Sequence, residues 1–166
     1  MPFRSAPRLK GFDYTGHHLY SLTICTRARA RVFVTSDAVL PVVSQLLHVA
    51  CVERFSVVAY CVMPDHLHIL TGGNSPTSNL ARFVRTFKQR TSFEWKQRTG
   101  DTLWQRSYFD RVLRSEEDVI GVVRYLLENP VRAGLVQRPE DYAYLGSATA
   151  TVNDLLDAAQ IRVRRT

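Results

Sequence analysis

The sequence predicts an α+β fold, a ferredoxin-like split β-α-β sandwich with an antiparallel sheet and helices on one face. Three observations carry this reading. Strand and helix patterns follow one another in the order β-α-β-β-α-β-α. Two apolar strand-like runs meet across Pro64-Asp65, as the second and third strands of such a fold must. The chain has 166 residues, 45% of them hydrophobic, which is one domain's worth with a proper core. Residues 1–166 therefore read as a single domain, with a basic arm over 1–15 and a tail over 139–166.

Taken in order, Leu19 to Thr26 alternates as a strand should, placing Tyr20, Leu22 and Ile24 on one face. Thr35-Ser36-Asp37 offers an N-cap, after which Val39, Leu40, Val42, Val43, Leu46, Leu47 and Ala50 recur at helical spacing. Pro41 is expected in the first turn of that helix, where its missing N–H does little harm. Phe55 to Met63 is rich in β-branched and aromatic residues and reads as a buried strand. His66 to Thr71 is the next strand, and Gly72 to Ser78 is loop. Thr77 to about Thr99 is a helix with Leu80, Phe83, Val84 and Phe87 on its apolar side. Leu103 to Leu113 supplies one or two short strands. Ser115 caps the last strong helix, and its first turn carries Glu116, Glu117 and Asp118, the sign that the dipole favours. Asn129-Pro130 is expected to end it, because a residue before proline avoids the helical region. A weaker helix follows over Val152 to Ala159.

Lys and Arg number 22 against 15 Asp and Glu, a net charge of +7, and the excess is clustered. Residues 1–35 hold six basic side chains and one acid; residues 77–114 hold nine and three. Such clusters are the footprint of a polyanion, since each neutralised phosphate releases counterions. Opposite the apolar side of the 77–99 helix lie Arg82, Arg85, Gln89 and Lys96, with Phe93 among them, a face suited to phosphates and an unstacked base. With Arg4, Arg8 and Lys10 of the arm, and Arg106, these are the candidate nucleic-acid contacts. No apolar run reaches the roughly 18 residues of a membrane span, and Met1-Pro2-Phe3-Arg4-Ser5 lacks the apolar stretch of a signal peptide. A soluble, cytoplasmic protein is expected. Cys25, Cys51 and Cys61 form no C-x-x-C pair, so neither a zinc ribbon nor a disulfide framework is indicated.

His66 and His68, spaced i, i+2 on a strand, project from one face as half of a metal site. On the last helix Tyr125 and Asn129, at i and i+4, share a flank. Gly121 lies one turn earlier and leaves open space beside the phenol. Tyr60-Cys61-Val62-Met63-Pro64-Asp65-His66-Leu67-His68-Ile69-Leu70 resembles the histidine–hydrophobic–histidine motif of the single-tyrosine HUH transposases. Tyr125 to Val136 (YLLENPVRAGLV) resembles the nucleophile helix of their REP-associated tyrosine transposase branch, and Leu103 to Asp110 (LWQRSYFD) resembles a segment between the two motifs. The similarity runs from about Gly16 to Ser147.

The resemblance implies an enzyme that cleaves and rejoins single-stranded DNA at hairpin elements through a 5′-phosphotyrosine. It implies Tyr125 as nucleophile and His66, His68 and Asn129 as ligands to Mg²⁺ or Mn²⁺. Mobile relatives usually carry glutamine four residues after the tyrosine, so Asn129 keeps the carbonyl with a shorter reach. The resemblance leaves monomer and homodimer open, and no membrane partner is expected. Three other readings compete. They are a catalytically inactive hairpin-DNA-binding protein of the same fold, a zinc-dependent hydrolase with Asp65 or Cys61 as third ligand, and a ribonucleoprotein-type domain that reads RNA on its sheet.

Overall fold

Alternation sets the first strand, β1 (Leu19–Cys25), whose Tyr20, Leu22 and Ile24 are fully buried on one face. The computed structural model describes Leu9 and residues 11–160, so Arg4, Arg8 and Lys10 lie outside the described residues. After β1 come α1 (Ser36–Val52), β2 (Phe55–Met63), β3 (His66–Gly73), α2 (Leu80–Thr99), β4 (Phe109–Leu113) and α3 (Glu116–Arg132). A two-residue strand, β5 (Leu145–Gly146), and α4 (Val152–Ala158) complete the described chain. The sheet order is β4-β1-β3-β2-β5 and every pairing is antiparallel. Its first four strands are the split β-α-β arrangement that the element order predicts.

Helices cover both faces of this sheet, not the one face expected. Leu22, Ile24, Leu67 and Ile69 share a core with Val39, Val42 and Leu46 of α1 and with Phe83, Val84 and Phe87 of α2. On the opposite face Ala59, Cys61, Leu70 and Leu113 pack against Val122, Val123, Leu126 and Leu127 of α3 and Leu155 and Leu156 of α4. The cause is the second face itself. A register shift between Val57 and Ala59 in β2 turns Ala59, Cys61 and Met63 toward it, and an apolar sheet face must be covered.

Element boundaries also differ from expectation: β3 runs on through Gly72 to Gly73. Asn79 caps α2 by accepting from the Arg82 N–H at 2.9 Å, so Thr77 stays in the loop. Pro41 sits in the second turn of α1, not the first. The carbonyl that its missing N–H would have served, that of Asp37, instead accepts from Arg98 Nη1 of α2 at 2.8 Å. Helix α3 runs through Pro130 for another turn. It stops where Leu135 N–H reaches the Pro130 carbonyl and Gly134 N–H that of Val131, each at 2.9 Å. Gly134 supplies the left-handed conformation (φ +70°) that this ending requires. The stretch from Leu103 resolves into a bridge between Trp104 and Thr26 followed by β4. Strand β5 is too short to show any alternation in sequence.

Candidate functional site

His66 and His68 lie on the β3 face turned toward α3, at the centre of the sheet. His68 pairs with Thr23 of β1 on one side and Cys61 of β2 on the other. Their rings meet edge to face with centroids 4.5 Å apart, and the two Nε2 atoms are 2.9 Å apart. Each Nδ1 is engaged from behind. Asp65 Oδ1 lies 2.6 Å from that of His66, and Thr23 Oγ1 lies 2.9 Å from that of His68. Asp65 is itself held by Arg29 Nε, 2.9 Å from Oδ2. Arg29 follows Ala28 through two left-handed residues (φ +53° and +56°), which swing it back toward Asp65. Burial holds both imidazoles below their ordinary pKa. His68, aided by the nearby charges of His66, Arg29 and Arg132, is pushed down to about 3. Both rings are therefore neutral near pH 7, the state in which imidazole binds metal.

Helix α3 brings the other residues. The Tyr125 ring packs edge-on against His68, centroids 5.4 Å apart at 84°. Arg132 places its guanidinium 4.4 Å from the centre of the same ring and donates from Nη2 to the Tyr125 carbonyl at 3.2 Å. Continuation of the helix through Pro130 makes this contact, because it carries Arg132 around to the flank of Tyr125 and Asn129. Asn129 is half-buried, and its Nδ2 is buried without a hydrogen-bond partner.

The residues present fit one divalent ion. Two adjacent donors of an octahedral shell about 2.1 Å from its centre stand about 3.0 Å apart, close to the observed 2.9 Å between the Nε2 atoms. With each Nδ1 engaged, the Nε2 positions remain for coordination. Among the described residues no three His, Cys, Asp or Glu side chains form a metal cluster. The Nδ2 of Asn129 has no hydrogen-bond partner, and a half-turn about the last side-chain bond would put a carbonyl oxygen in its place. Asp65 holds His66 and Arg29 through its two oxygens, and burial pushes the Cys61 thiol up to about 12.

Residues 15–129 match the family model described as "Transposase IS200 like". The chain belongs to the IS200-like transposase family. It is 27% identical over 143 residues to a Haemophilus influenzae protein assigned as a REP-associated tyrosine transposase, covering 80% of this chain and 81% of that protein. Its fold matches a solved REP-associated tyrosine transposase bound to a REP hairpin, with a TM-score of 0.69 at 19% identity over 82% of this chain and 80% of the other. A Deinococcus radiodurans crystal structure assigned as a transposase is also similar, with a TM-score of 0.52 at 26% identity over 73% and 96% of the two chains.

The basic residues of this IS200-like transposase are divided between the layers. Helix α2 packs on the sheet face away from Tyr125, so the two helices are not the neighbours that a one-faced sandwich would make them. Arg82 is ion-paired through Nε with the buried Glu53, which follows the last residue of α1. Arg85, Lys88 and Arg106 line a cavity of about 270 Å³ with Tyr108. Lys88 Nζ is occupied there, donating to the Gln105 and Arg106 carbonyls at 2.6 and 2.9 Å. Gln89, Lys96 and Phe93 are exposed, Phe93 to 65%. Sequence reasoning missed Arg29, Thr23 and Arg132. A signal existed only for Arg132, seven positions after Tyr125 on the same helix flank. Among the described residues no helix is long and apolar enough to cross a membrane.

Proposed function

We propose that this chain cleaves and rejoins single-stranded DNA at hairpin-bearing elements in the cytoplasm, with Tyr125 as nucleophile. The observation that carries the reading is the Tyr125 ring 5.4 Å from His68, itself half of a pair whose Nε2 atoms converge. The hairpin comes from the solved relative, which holds one. His66, His68 and Asn129 would hold Mg²⁺ or Mn²⁺, which when bound withdraws charge from a scissile-phosphate oxygen and orients it.

The chain's own part is to present the phenol. Tyr125 Oη forms a bond to phosphorus as the bond to the 3′-oxygen breaks. The phenolic proton leaves, the 3′-oxygen takes one up, and a 5′-phosphotyrosine and a free 3′-hydroxyl result. The ester bond energy is retained, so a 3′-hydroxyl can reverse the step and strands are exchanged without ATP. Arg132 fixes the ring from one side and His68 from its edge, which limits the orientations Oη must search. The same guanidinium offers positive charge to the approaching phosphate.

The competing readings fare less well. A zinc hydrolase with Asp65 as third ligand would have to draw that carboxylate away from His66 and Arg29. A ribonucleoprotein-type domain needs an open sheet face, and both faces here are covered by helices. A binding protein without catalysis leaves the converged histidines and Tyr125 without a task. The test is incubation of labelled single-stranded hairpin DNA and Mn²⁺ with the protein and with Tyr125→Phe, followed by a denaturing gel. A covalent adduct should form with the wild type and be absent from the variant, with hairpin affinity nearly unchanged. An adduct of equal yield in Tyr125→Phe would dismiss the nucleophile.

A further inference from the structure

Gly121 lies in the interior of α3 and has no reason of its own to be glycine. A Cβ built there meets nothing within 4 Å, and its φ is not in the left-handed range. Alanine at such a position would stabilise the helix. What the missing side chain leaves open is a cleft of about 320 Å³ between α3 and the sheet, lined by Ser21 of β1, Arg111 of β4 and, on α3, Glu117, Gly121, Val122 and Tyr125. Glu117, Gly121 and Tyr125 follow one another at four-residue steps. A carboxylate thus stands at one end of the cleft and the proposed nucleophile about 12 Å along the helix at the other.

The lining selects among ligands. Arg111 is neutralised by its ion pair with Asp118, which also lines the cleft and whose backbone N–H donates to the Ser115 cap of α3. Glu117, also on the rim, would repel a phosphate there. A carboxylate accepts the N–H groups of a nucleobase edge, and Val122 offers an apolar wall. The volume is at the lower end of small-molecule pockets, about 300–1,000 Å³. Resting on the function proposed above, we infer that this cleft takes an unstacked base flanking the scissile phosphate. Glu117 accepts from its donor edge, best supplied by guanine through N1–H and the 2-amino group. Gly121 is then a specificity residue, holding open the place where the base must lie for the phosphate to reach Tyr125.

The experiment measures kcat/KM for adduct formation on hairpin DNA carrying guanine, adenine, cytosine, thymine or an abasic site at each nucleotide flanking the scissile phosphate. Wild type, Gly121→Ala, Gly121→Leu and Glu117→Gln are compared, with circular dichroism as the check on folding. At one flanking position the abasic substrate should fall roughly tenfold or more below the guanine substrate, the scale of one stacked and recognised base. Gly121→Leu should collapse that ratio toward one while keeping its helix content. Gly121→Ala should narrow the ratio less and melt at higher temperature. Glu117→Gln should lose the preference for guanine. A wild type indifferent to abasic sites at both positions, or a Gly121→Leu variant with the wild-type ratio, overturns the cleft while leaving Tyr125 as nucleophile. Failure of wild type to form any adduct overturns the function and the cleft together.

Discussion

Asn129 is where the chemistry of a single side chain is most exposed to test. Its buried Nδ2 lacks a partner, and an unsatisfied buried polar group costs about 1–3 kcal/mol. Such a cost persists most readily at a working site. Asn129→Gln should keep part of the cleavage activity, because the carbonyl survives with one more methylene. Asn129→Leu should lose Mn²⁺ affinity by more than the roughly 10–100-fold typical of an outer-shell change, with adduct formation falling alongside. The metal-free Leu variant should melt no lower than the wild type, since it discards an unpaired amide. Titration calorimetry and thermal melts read both quantities; a Leu variant that binds Mn²⁺ as tightly as wild type removes Asn129 from the ligand set. The pairing of His66 with His68 and the shared flank of Tyr125 and Asn129 were legible in sequence because each pair sits at a local spacing, i+2 on a strand or i+4 on a helix. Their supports were not. Thr23 reaches His68 across 45 residues, and Arg29 reaches Asp65 only through a left-handed turn that no glycine announces.

At the scale of elements, proline was the misleading residue in both helices that contain it. Sequence rules place Pro41 in a first turn and stop α3 before Pro130, yet each helix continues because tertiary structure supplies what proline removes. The Pro130 ring is buried, and the turn beyond it is closed by Gly134. At Pro41 the substitute donor is Arg98, which ties the end of α2 to the start of α1 through the Asp37 carbonyl. Arg98→Ala should therefore destabilise the protein by roughly 0.5–1.5 kcal/mol. In a Pro41→Ala background, where the helix regains its own N–H, the same change should cost less. Urea unfolding of the four proteins forms the cycle, and equal costs in both backgrounds would show that Arg98 does not replace the missing donor. The strands were more legible, since alternation in β1 and β-branched density in β2 depend on local sequence alone. Which face a later helix covers does not. Strand β3 is apolar on both faces, with Leu67 and Ile69 on one side and Leu70 on the other, so periodicity leaves that choice open.

For the whole molecule, the covered second face changes where DNA can run. The cavity with Arg85 and Arg106 belongs to the α2 layer, whereas Tyr125 belongs to the α3 layer. Both lie toward β4, the strand that ends the sheet. Tyr108 and Arg106 precede β4 on one side, and Arg111 within it lines the Tyr125 cleft on the other. A hairpin whose stem rests on α2 and whose single strand enters the Tyr125 site must then pass around the β4 edge. Arg85 and Arg106 make no ion pair among the described residues, so reversing them reads DNA contact directly. Arg82 is a poorer probe, because its reversal would also strand the buried Glu53 carboxylate. The Arg85→Glu, Arg106→Glu double variant should bind every hairpin more weakly, whatever its sequence. Its slope of log affinity against log salt should be shallower by about 0.9 for each stem phosphate released. Fluorescence anisotropy over a salt series gives that slope for a hairpin and for the same single strand without its stem. The change should be larger for the hairpin, because only the stem reaches α2. An equal change for both would put the single strand itself along α2, and a wild-type slope for both would leave these charges as a solvated face.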